Sequence, residues 1–210
     1  MTDLKSHWEK VYKIKKPTEV SWFQPHLAQS LEMILRMGLD CSAEVIDVGG
    51  GASTLVDDLL SRGYKHMTVL DISQEALNAS KHRLGVQMKN VTWIEGDITK
   101  LDLPQNHYDL WHDRAVFHFL TRADDRYRYV DMLNKTLKTG GHVIMATFGP
   151  QGPTHCSGLD VARYSPEGLL AELGQNFRLV ESLEEDHKTS GGTLQKFNYC
   201  HFIRGSSNTK

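Results

Sequence analysis

The chain is poor in the features that mark membrane-spanning, secreted and disulfide-rich proteins. No apolar run approaches the roughly 18 residues that a membrane span needs, and no apolar signal segment follows Met1. Cysteine is scarce, and Cys41, Cys156 and Cys200 have neither metal-site spacing nor the even number of a disulfide framework. We therefore expect free thiols, a cytoplasmic location and no membrane partner.

An excess of charge of either sign is also missing. The 24 basic and 26 acidic side chains give a formal net charge of −2, so no basic field favours a nucleic-acid partner. The 40% apolar content is ordinary for a globular chain. No repeat, low-complexity tract or linker interrupts the 210 residues, so a single domain over residues 1–210 is predicted, as a monomer or dimer.

The most informative segment is a glycine turn between a short apolar strand and a helix that is expected to begin at Ser53. Asp47, Gly49 and Gly51 belong to a D-x-G-x-G pattern in this turn, and Asp71 closes the next apolar run. Two strand-end carboxylates about 20 residues apart around such a turn predict a nucleoside-binding crevice. Thr54 stands where a dinucleotide fingerprint needs its third glycine, and the lysine of a phosphate-binding loop is missing.

Strands and helices alternate after this turn, which is the pattern of a parallel sheet covered by helices. The pattern changes near the C-terminus, where two long strands surround a glycine-containing loop. Strands are predicted at residues 45–48, 67–70, 91–95, 108–113, 142–145, 177–183 and 195–203, and helices at residues 4–13, 25–37 and 74–84. Ser165 and Pro166 indicate the start of one further helix.

The D-x-G-x-G pattern resembles motif I of class I methyltransferases that depend on S-adenosylmethionine (SAM). Asp71, the Asp97-Ile98 pair and an L-K-x-G-G turn at residues 137–141 follow in the order of that family. The resemblance implies an α/β Rossmann-like sheet of seven strands in the order 3-2-1-4-5-7-6, with the last strand antiparallel and helices on both faces. It further implies SAM as cofactor, S-adenosylhomocysteine (SAH) as product and no metal.

The same resemblance implies a division of labour along the chain. Residues 1–40 would form a helical lid, residues 45–148 the cofactor-binding core, and residues 149–204 an acceptor-side loop, helix and terminal hairpin. Asp47 would lie near the methionine end of the cofactor, Asp71 would bind the ribose, Asp97 would bind the adenine amino group and Ile98 would flank the ring. The full predicted cofactor set is Trp22, Asp47, Gly49, Gly51, Asp71, Ile72, Asp97, Ile98 and Asp113. Trp22 has the alternative role of a core aromatic that anchors the first two helices.

Three residues are candidates for work on the acceptor: His118, Asp113 and Arg163. The Asp113-Arg114 pair resembles the Asp-Arg after strand four of thiopurine and thiol methyltransferases. His118 has an ordinary pKa suited to taking a proton near neutrality. Each has a structural alternative: a buried helix histidine, a helix cap and a brace for a surface loop, respectively. Residues 148–158, rich in glycine and proline, are predicted to be an irregular loop that covers the acceptor.

The predicted reaction is direct in-line methyl transfer, most simply to a small-molecule acceptor. Similar chains with a W-x-x-x-Y pattern, here Trp8 to Tyr12, include protein-lysine methyltransferases, so a lysine of a protein substrate is the alternative. The tyrosine motif that lysine enzymes often carry after strand four is missing, as is the adenine-N6 motif. A SAM-binding scaffold without activity is the second alternative. His155, Cys156 and His187 supply too few thiols for a metalloid site.

Overall fold

A computed structural model describes residues 3–206, which form one seven-stranded sheet with helices on both faces and a small separate hairpin. The strands are β1 (Glu44–Val48), β2 (His66–Asp71), β3 (Val91–Glu95), β4 (Tyr108–Arg114), β5 (Leu137–Phe148), β6 (His155–Cys156), β7 (Leu159–Asp160), β8 (Phe177–Lys188) and β9 (Leu194–Arg204). The helices are α1 (Leu4–Ile14), α2 (Ala28–Arg36), α3 (Leu55–Ser61), α4 (Gln74–Leu84), α5 (Ala123–Thr136) and α6 (Pro166–Leu173). Short 3-10 turns occupy Pro17–Glu19, Gly85–Asn90 and Phe117–Phe119.

The strand order in the sheet is β3-β2-β1-β4-β5-β9-β8. Strands β1 to β5 pair in parallel, whereas β9 runs antiparallel to both of its neighbours, β5 and β8. Because the hairpin β6–β7 lies outside the sheet, β8 and β9 are the sixth and seventh sheet strands in chain order. The predicted order 3-2-1-4-5-7-6 with an antiparallel last strand is therefore confirmed.

Apolar side chains of the sheet alternate between two cores. Val45 and Leu110 belong to the core that α2, α3 and α4 cover, whereas Ile46 and Trp111 belong to the core under α5 and α6. Since both faces are covered, strands such as β1 are buried almost throughout, as expected of a parallel sheet. No helix among residues 3–206 is long and apolar enough to cross a membrane.

Four local predictions differ from the structure. Helix α3 begins at Leu55 rather than Ser53, because the Ser53 hydroxyl accepts a hydrogen bond from the Leu55 amide just outside the helix. The expected turn at residues 137–141 is part of β5, with Gly140 at φ +79°. The expected irregular loop at residues 148–158 contains β6, which turns into β7 through Ser157 and Gly158, both at positive φ. The last two strands are longer than predicted, so His187 lies inside β8 rather than in a loop.

Candidate active site

The carboxyl ends of β1, β2, β3 and β4 surround one cavity, which encloses about 900 Å³ including its open mouth. Open parallel sheets bind ligands at this edge, where the loops after the strands diverge. Helix α1, the segment before α2 and the ends of β5 and β9 complete its walls. The residues that line it include Trp8, Tyr12, Trp22, Gly49, Asp71, Ile72, Asp97, Ile98, Arg114, His118, Phe119, Phe148, Cys156, Gln195 and Phe197.

The glycine turn after β1 has no room for side chains. Gly49 has φ +71°, and a Cβ there would lie 2.0 Å from Val116 Cγ2. A Cβ on Gly51 would lie 2.5 Å from both the Asp71 carboxylate and Ala76. Gly49 lines the cavity, whereas Gly51 lies behind the turn and donates its amide to Asp71. The spacing of the motif therefore combines one ligand-facing glycine with one that permits close packing.

Asp71 at the end of β2 is the buried carboxylate of the cavity. Its two oxygens accept hydrogen bonds from the backbone amides of Gly51, at 3.0 Å, and Ser73, at 2.8 Å. Burial raises the pKa of Asp71 to about 6, although both amides oppose this shift. The carboxylate retains lone pairs for a ligand, because each oxygen can accept more than one hydrogen bond.

The other predicted cofactor residues on this side are also at the cavity. Asp97 follows β3, and its carboxylate is oriented by the Thr99 amide and hydroxyl at 3.0 and 2.7 Å and by Lys100 at 2.8 Å. Ile72 and Ile98 supply apolar wall next to the two carboxylates. The neighbouring ends of β2 and β3 thus each present a carboxylate followed by an apolar side chain.

Asp47 faces a second, smaller cavity beside the glycine turn, and it belongs to a buried chain of hydrogen bonds. His112 Nδ1 lies 2.7 Å from Asp47 Oδ1, and His112 Nε2 lies 2.8 Å from the Ser30 hydroxyl. Asp47 and His112 are paired residues on adjacent strands β1 and β4, so their side chains share a face. A carboxylate only accepts, hence Nδ1 donates to it and Ser30 donates to Nε2. Asp47 Oδ2 is buried and has no partner in the described chain.

Asp113, predicted in both the cofactor and the catalytic set, points away from the cavity. Its carboxylate accepts hydrogen bonds from the Val116 amide at 2.8 Å, the Phe117 amide at 3.1 Å and the Tyr129 hydroxyl. Burial raises its pKa to about 6. Side chains alternate along β4, so Asp113 lies on the opposite face from His112. The structure favours the alternative role, a cap for the turn at Phe117–Phe119.

His118 is fully buried in the cavity wall. The Phe148 amide donates to Nδ1 at 3.4 Å, and Nε2 has no partner among residues 3–206. Burial, together with the positive charge of Arg114, lowers the pKa of His118 to about 3. Its imidazole is therefore neutral near pH 7.

Comparisons with known proteins agree with this geometry. Residues 45–141 match the family model described as a methyltransferase domain. The chain is 21% identical to human EEF1A lysine methyltransferase 2 over 90% of this chain and 80% of that protein. It is 22% identical to mouse eEF1A lysine and N-terminal methyltransferase over 80% of this chain, and the match spans only 24% of that longer relative.

A solved structure extends the likeness to the fold. The Burkholderia thailandensis 1,6-didemethyltoxoflavin-N1-methyltransferase, with bound 1,6-didemethyltoxoflavin and SAH, superposes with a TM-score of 0.72 at 18% identity, covering 97% of this chain and 88% of that one. Residues 45–141 carry a class I SAM-dependent methyltransferase domain.

Arg163 does not reach the cavity, contrary to prediction. Its exposed side chain donates to the carbonyl oxygens of Pro150 at 2.9 Å and Gly152 at 3.3 Å. Arg163 therefore braces the loop before β6, which was the alternative role. The cation at the cavity of this methyltransferase domain is instead Arg114, at the end of β4.

The roof of the methyltransferase cavity is aromatic. Trp22 packs edge-on against Trp8, with ring centroids 5.5 Å apart, and Trp8 packs against Phe119 at 5.1 Å. Tyr12 lies one helical turn from Trp8 and contacts Trp22 at 6.3 Å. Trp22 was in the predicted cofactor set and residues 1–40 were predicted to form a lid, whereas the four-residue spacing was the only sequence signal for Trp8 and Tyr12. Phe148 and Cys156 belong to the segment that was predicted to cover the acceptor, whereas the contributions of Gln195 and Phe197 from β9 depend on tertiary structure and were missed.

The three residues that were considered for a metal site make separate structural contacts. His155 pairs with Asp160 at 2.8 Å, Cys156 lines the cavity, and His187 Nε2 donates to the Ser21 carbonyl at 2.7 Å. No group of three or more metal-ligating side chains gathers in the part of the chain that the structure describes. Through this hydrogen bond to Ser21, His187 fixes the segment that carries Trp22 to strand β8.

Proposed function

We propose that this domain transfers a methyl group from SAM to a small-molecule acceptor by direct in-line displacement. The observation that carries the proposal is the composition of the cavity away from Asp71 and Asp97. It is walled by aromatic side chains and holds one cation, Arg114, and one neutral imidazole, His118. Among residues 3–206, Asp71 and Asp97 are the only carboxylates that line this cavity.

The residues present suit SAM. The unpartnered Asp47 Oδ2 beside the glycine turn is an acceptor that fits an ammonium group at the methionine end. Asp71 is the acceptor for ribose hydroxyls, and Asp97 with Ile72 and Ile98 fits a purine ring that needs one hydrogen bond and apolar flanks. Gly49 allows backbone approach, and Trp22 covers the site. Gly51 and Asp113 support the site without lining it: Gly51 permits close packing behind the glycine turn, and Asp113 caps the turn at Phe117–Phe119.

SAM supplies an electrophilic methyl: the acceptor's lone pair forms the new bond while the carbon–sulfur bond breaks and its electrons remain on sulfur. The protein orients the acceptor and excludes water. The aromatic roof of Trp8, Tyr12, Trp22 and Phe119 would exclude water. Arg114 and His118 would orient the acceptor.

A lysine acceptor is the second candidate, and the names of the relatives favour it, because two of them are lysine methyltransferases of eEF1A. The charge of the cavity argues against it. A lysine side chain approaching the methyl would meet the guanidinium of Arg114, which has no ion pair among the described residues. Aromatic walls alone can bind an ammonium, but a like charge inside an apolar cavity opposes its approach.

Fractionation of labelled products decides between the two. The protein is incubated with tritiated SAM and an extract of the source cells, and macromolecules are separated from metabolites. We expect the label in the metabolite fraction, and loss of the label with the Asp71→Ala variant. Label confined to one protein band would establish the lysine alternative and contradict the small acceptor.

A further inference from the structure

We propose that the acceptor is a small anion whose charged, planar oxygen-bearing group is bound jointly by Arg114 and His118. This inference rests on the proposed transfer to a small molecule and names the chemical class of that molecule. It starts from two buried nitrogen atoms, Arg114 Nη2 and His118 Nε2, which have no hydrogen-bond partner within residues 3–206. Both side chains line the same cavity.

Arg114 is fixed in place by three contacts that leave one end of its guanidinium free. Nε donates to the Tyr199 hydroxyl at 2.8 Å, and Nη1 donates to the Trp22 carbonyl at 2.9 Å. The guanidinium carbon lies 4.8 Å from the centre of the Phe197 ring, in a cation–π arrangement. Nη2 is thus a donor of defined position, and a planar fork of this kind matches a carboxylate or an enolate.

His118 provides the second donor, because its other ring nitrogen is already occupied. The Phe148 amide donates to Nδ1, so in the neutral imidazole the proton resides on Nε2. Nε2–H is then an unpartnered donor on a side chain that lines the cavity, and it cannot take a proton from the acceptor. The role of general base, one reading of His118 from the sequence, does not fit this tautomer.

The surroundings make an anion the best partner for this pair of donors. His118 packs against Phe148 and Phe197, with ring centroids 4.7 and 6.5 Å apart, so the donors sit in apolar walls. The Tyr199 hydroxyl, which accepts a hydrogen bond from Arg114 Nε, also interacts with Glu185. Leaving a buried donor without a hydrogen-bond partner costs free energy, and a charged acceptor offsets more of that cost than a neutral one. Gln195 Oε1, also buried and unpartnered, is an acceptor, so it could bind only a donor group elsewhere on the ligand.

The proposal fixes how the proton is handled. Since His118 holds its proton on Nε2, an acidic acceptor must lose its proton to water before it is bound. Arg114 then stabilises the resulting charge. The nucleophilic atom shares an electron pair with the methyl carbon, and the pair of the broken carbon–sulfur bond stays on SAH.

Matched anionic and neutral probes test the inference without turnover. Benzoate and benzamide, and acetate and acetamide, are titrated into the SAH-loaded protein, with binding followed by calorimetry and by intrinsic tryptophan fluorescence. We expect at least one anion to bind roughly tenfold more tightly than its neutral isostere. Arg114→Gln should abolish that preference, Arg114→Lys should reduce it, and Arg163→Gln, outside the cavity, should leave it unchanged.

Equal binding of anion and amide in both pairs by the wild-type protein would overturn the inference, whatever the variants do. So would a benzoate preference that persists in Arg114→Gln while SAH binding weakens, because Arg114 would then bind the carboxylate of the cofactor. Failure of SAH itself to bind would instead contradict the proposed function.

Discussion

Asp71 is buried, although the ribose-binding role that we propose for it requires an ionised carboxylate. Its raised pKa, about 6, means that the carboxyl group is mostly protonated at pH 5 and ionised at pH 7.5. Ribose hydroxyls donate to the ionised form, so SAH affinity should fall roughly tenfold from pH 7.5 to pH 5. Calorimetry at a series of pH values measures this, and Asp71→Asn should bind weakly at every pH. Affinity that is constant across this range in the wild-type protein would show that Asp71 does not titrate in the binding step.

Asp113 illustrates a buried carboxylate with a structural role. Replacement by alanine leaves two backbone amides and the Tyr129 hydroxyl without their acceptor. We expect the free energy of unfolding to fall by about 2–4 kcal/mol in urea titrations. SAH affinity of the folded fraction should stay within about threefold of the parent. Full stability with lost SAH binding would return Asp113 to the cofactor site.

His118 should leave no ionisation near neutrality in the rate profile. Because the pKa of His118 is lowered to about 3, its imidazole does not titrate between pH 5.5 and 8. The pH profile of turnover, measured with the acceptor found by fractionation, should therefore have the same inflections in this range for the wild-type protein and for His118→Gln. His118→Gln places an amide donor near the position of Nε2, so it should retain more activity than His118→Leu. The leucine variant should lose roughly tenfold or more in kcat/KM, with SAH affinity unchanged. Similar activity of both variants would exclude a donor role.

The glycine turn after β1 can be tested as an element by comparing two glycines with similar φ angles. Gly49 has φ +71° with Val116 against it, whereas Gly140 has φ +79° with no atom within 4 Å of the position that a Cβ would occupy. Gly140→Ala should cost only the backbone strain, about 1–2 kcal/mol of unfolding free energy. Gly49→Ala should cost more and should also weaken SAH binding. Equal effects of the two substitutions on SAH affinity would contradict the placement of the cofactor over Gly49.

Helix α2 is tied to the sheet through a polar chain rather than through apolar contacts alone. Ser30 of α2, His112 of β4 and Asp47 of β1 are each at most 2% exposed. This chain orients Asp47 from behind, while Oδ2 remains for a ligand. The sequence pattern placed Asp47 at the site but gave no sign of Ser30, because its contact depends on how α2 packs.

At the scale of the whole molecule, the sheet order was implied by the family resemblance, whereas the edge that carries the candidate site could be predicted because it depends on strand ends. Asp47, Asp71 and Asp97 each end or follow an apolar run, and parallel strands bring such ends to one edge. The directions of Asp113 and Arg163 could not be predicted in this way. Strand β4 is buried on both faces, so its residue pattern does not reveal which face Asp113 occupies. The position of the Arg163 side chain depends on its hydrogen bonds to the carbonyl oxygens of a loop, and no sequence pattern predicts the path of that loop.

The central claim, that the ends of β1, β2 and β3 form one SAM site, is tested most directly by a calorimetric titration of SAH into the wild-type and Asp71→Ala proteins. We expect one site per chain with a dissociation constant in the micromolar range or below, and at least a roughly tenfold weaker constant for the variant, whose fold is verified by its unfolding curve. Absence of binding heat in the wild-type protein, or identical constants for the two proteins, would contradict that claim.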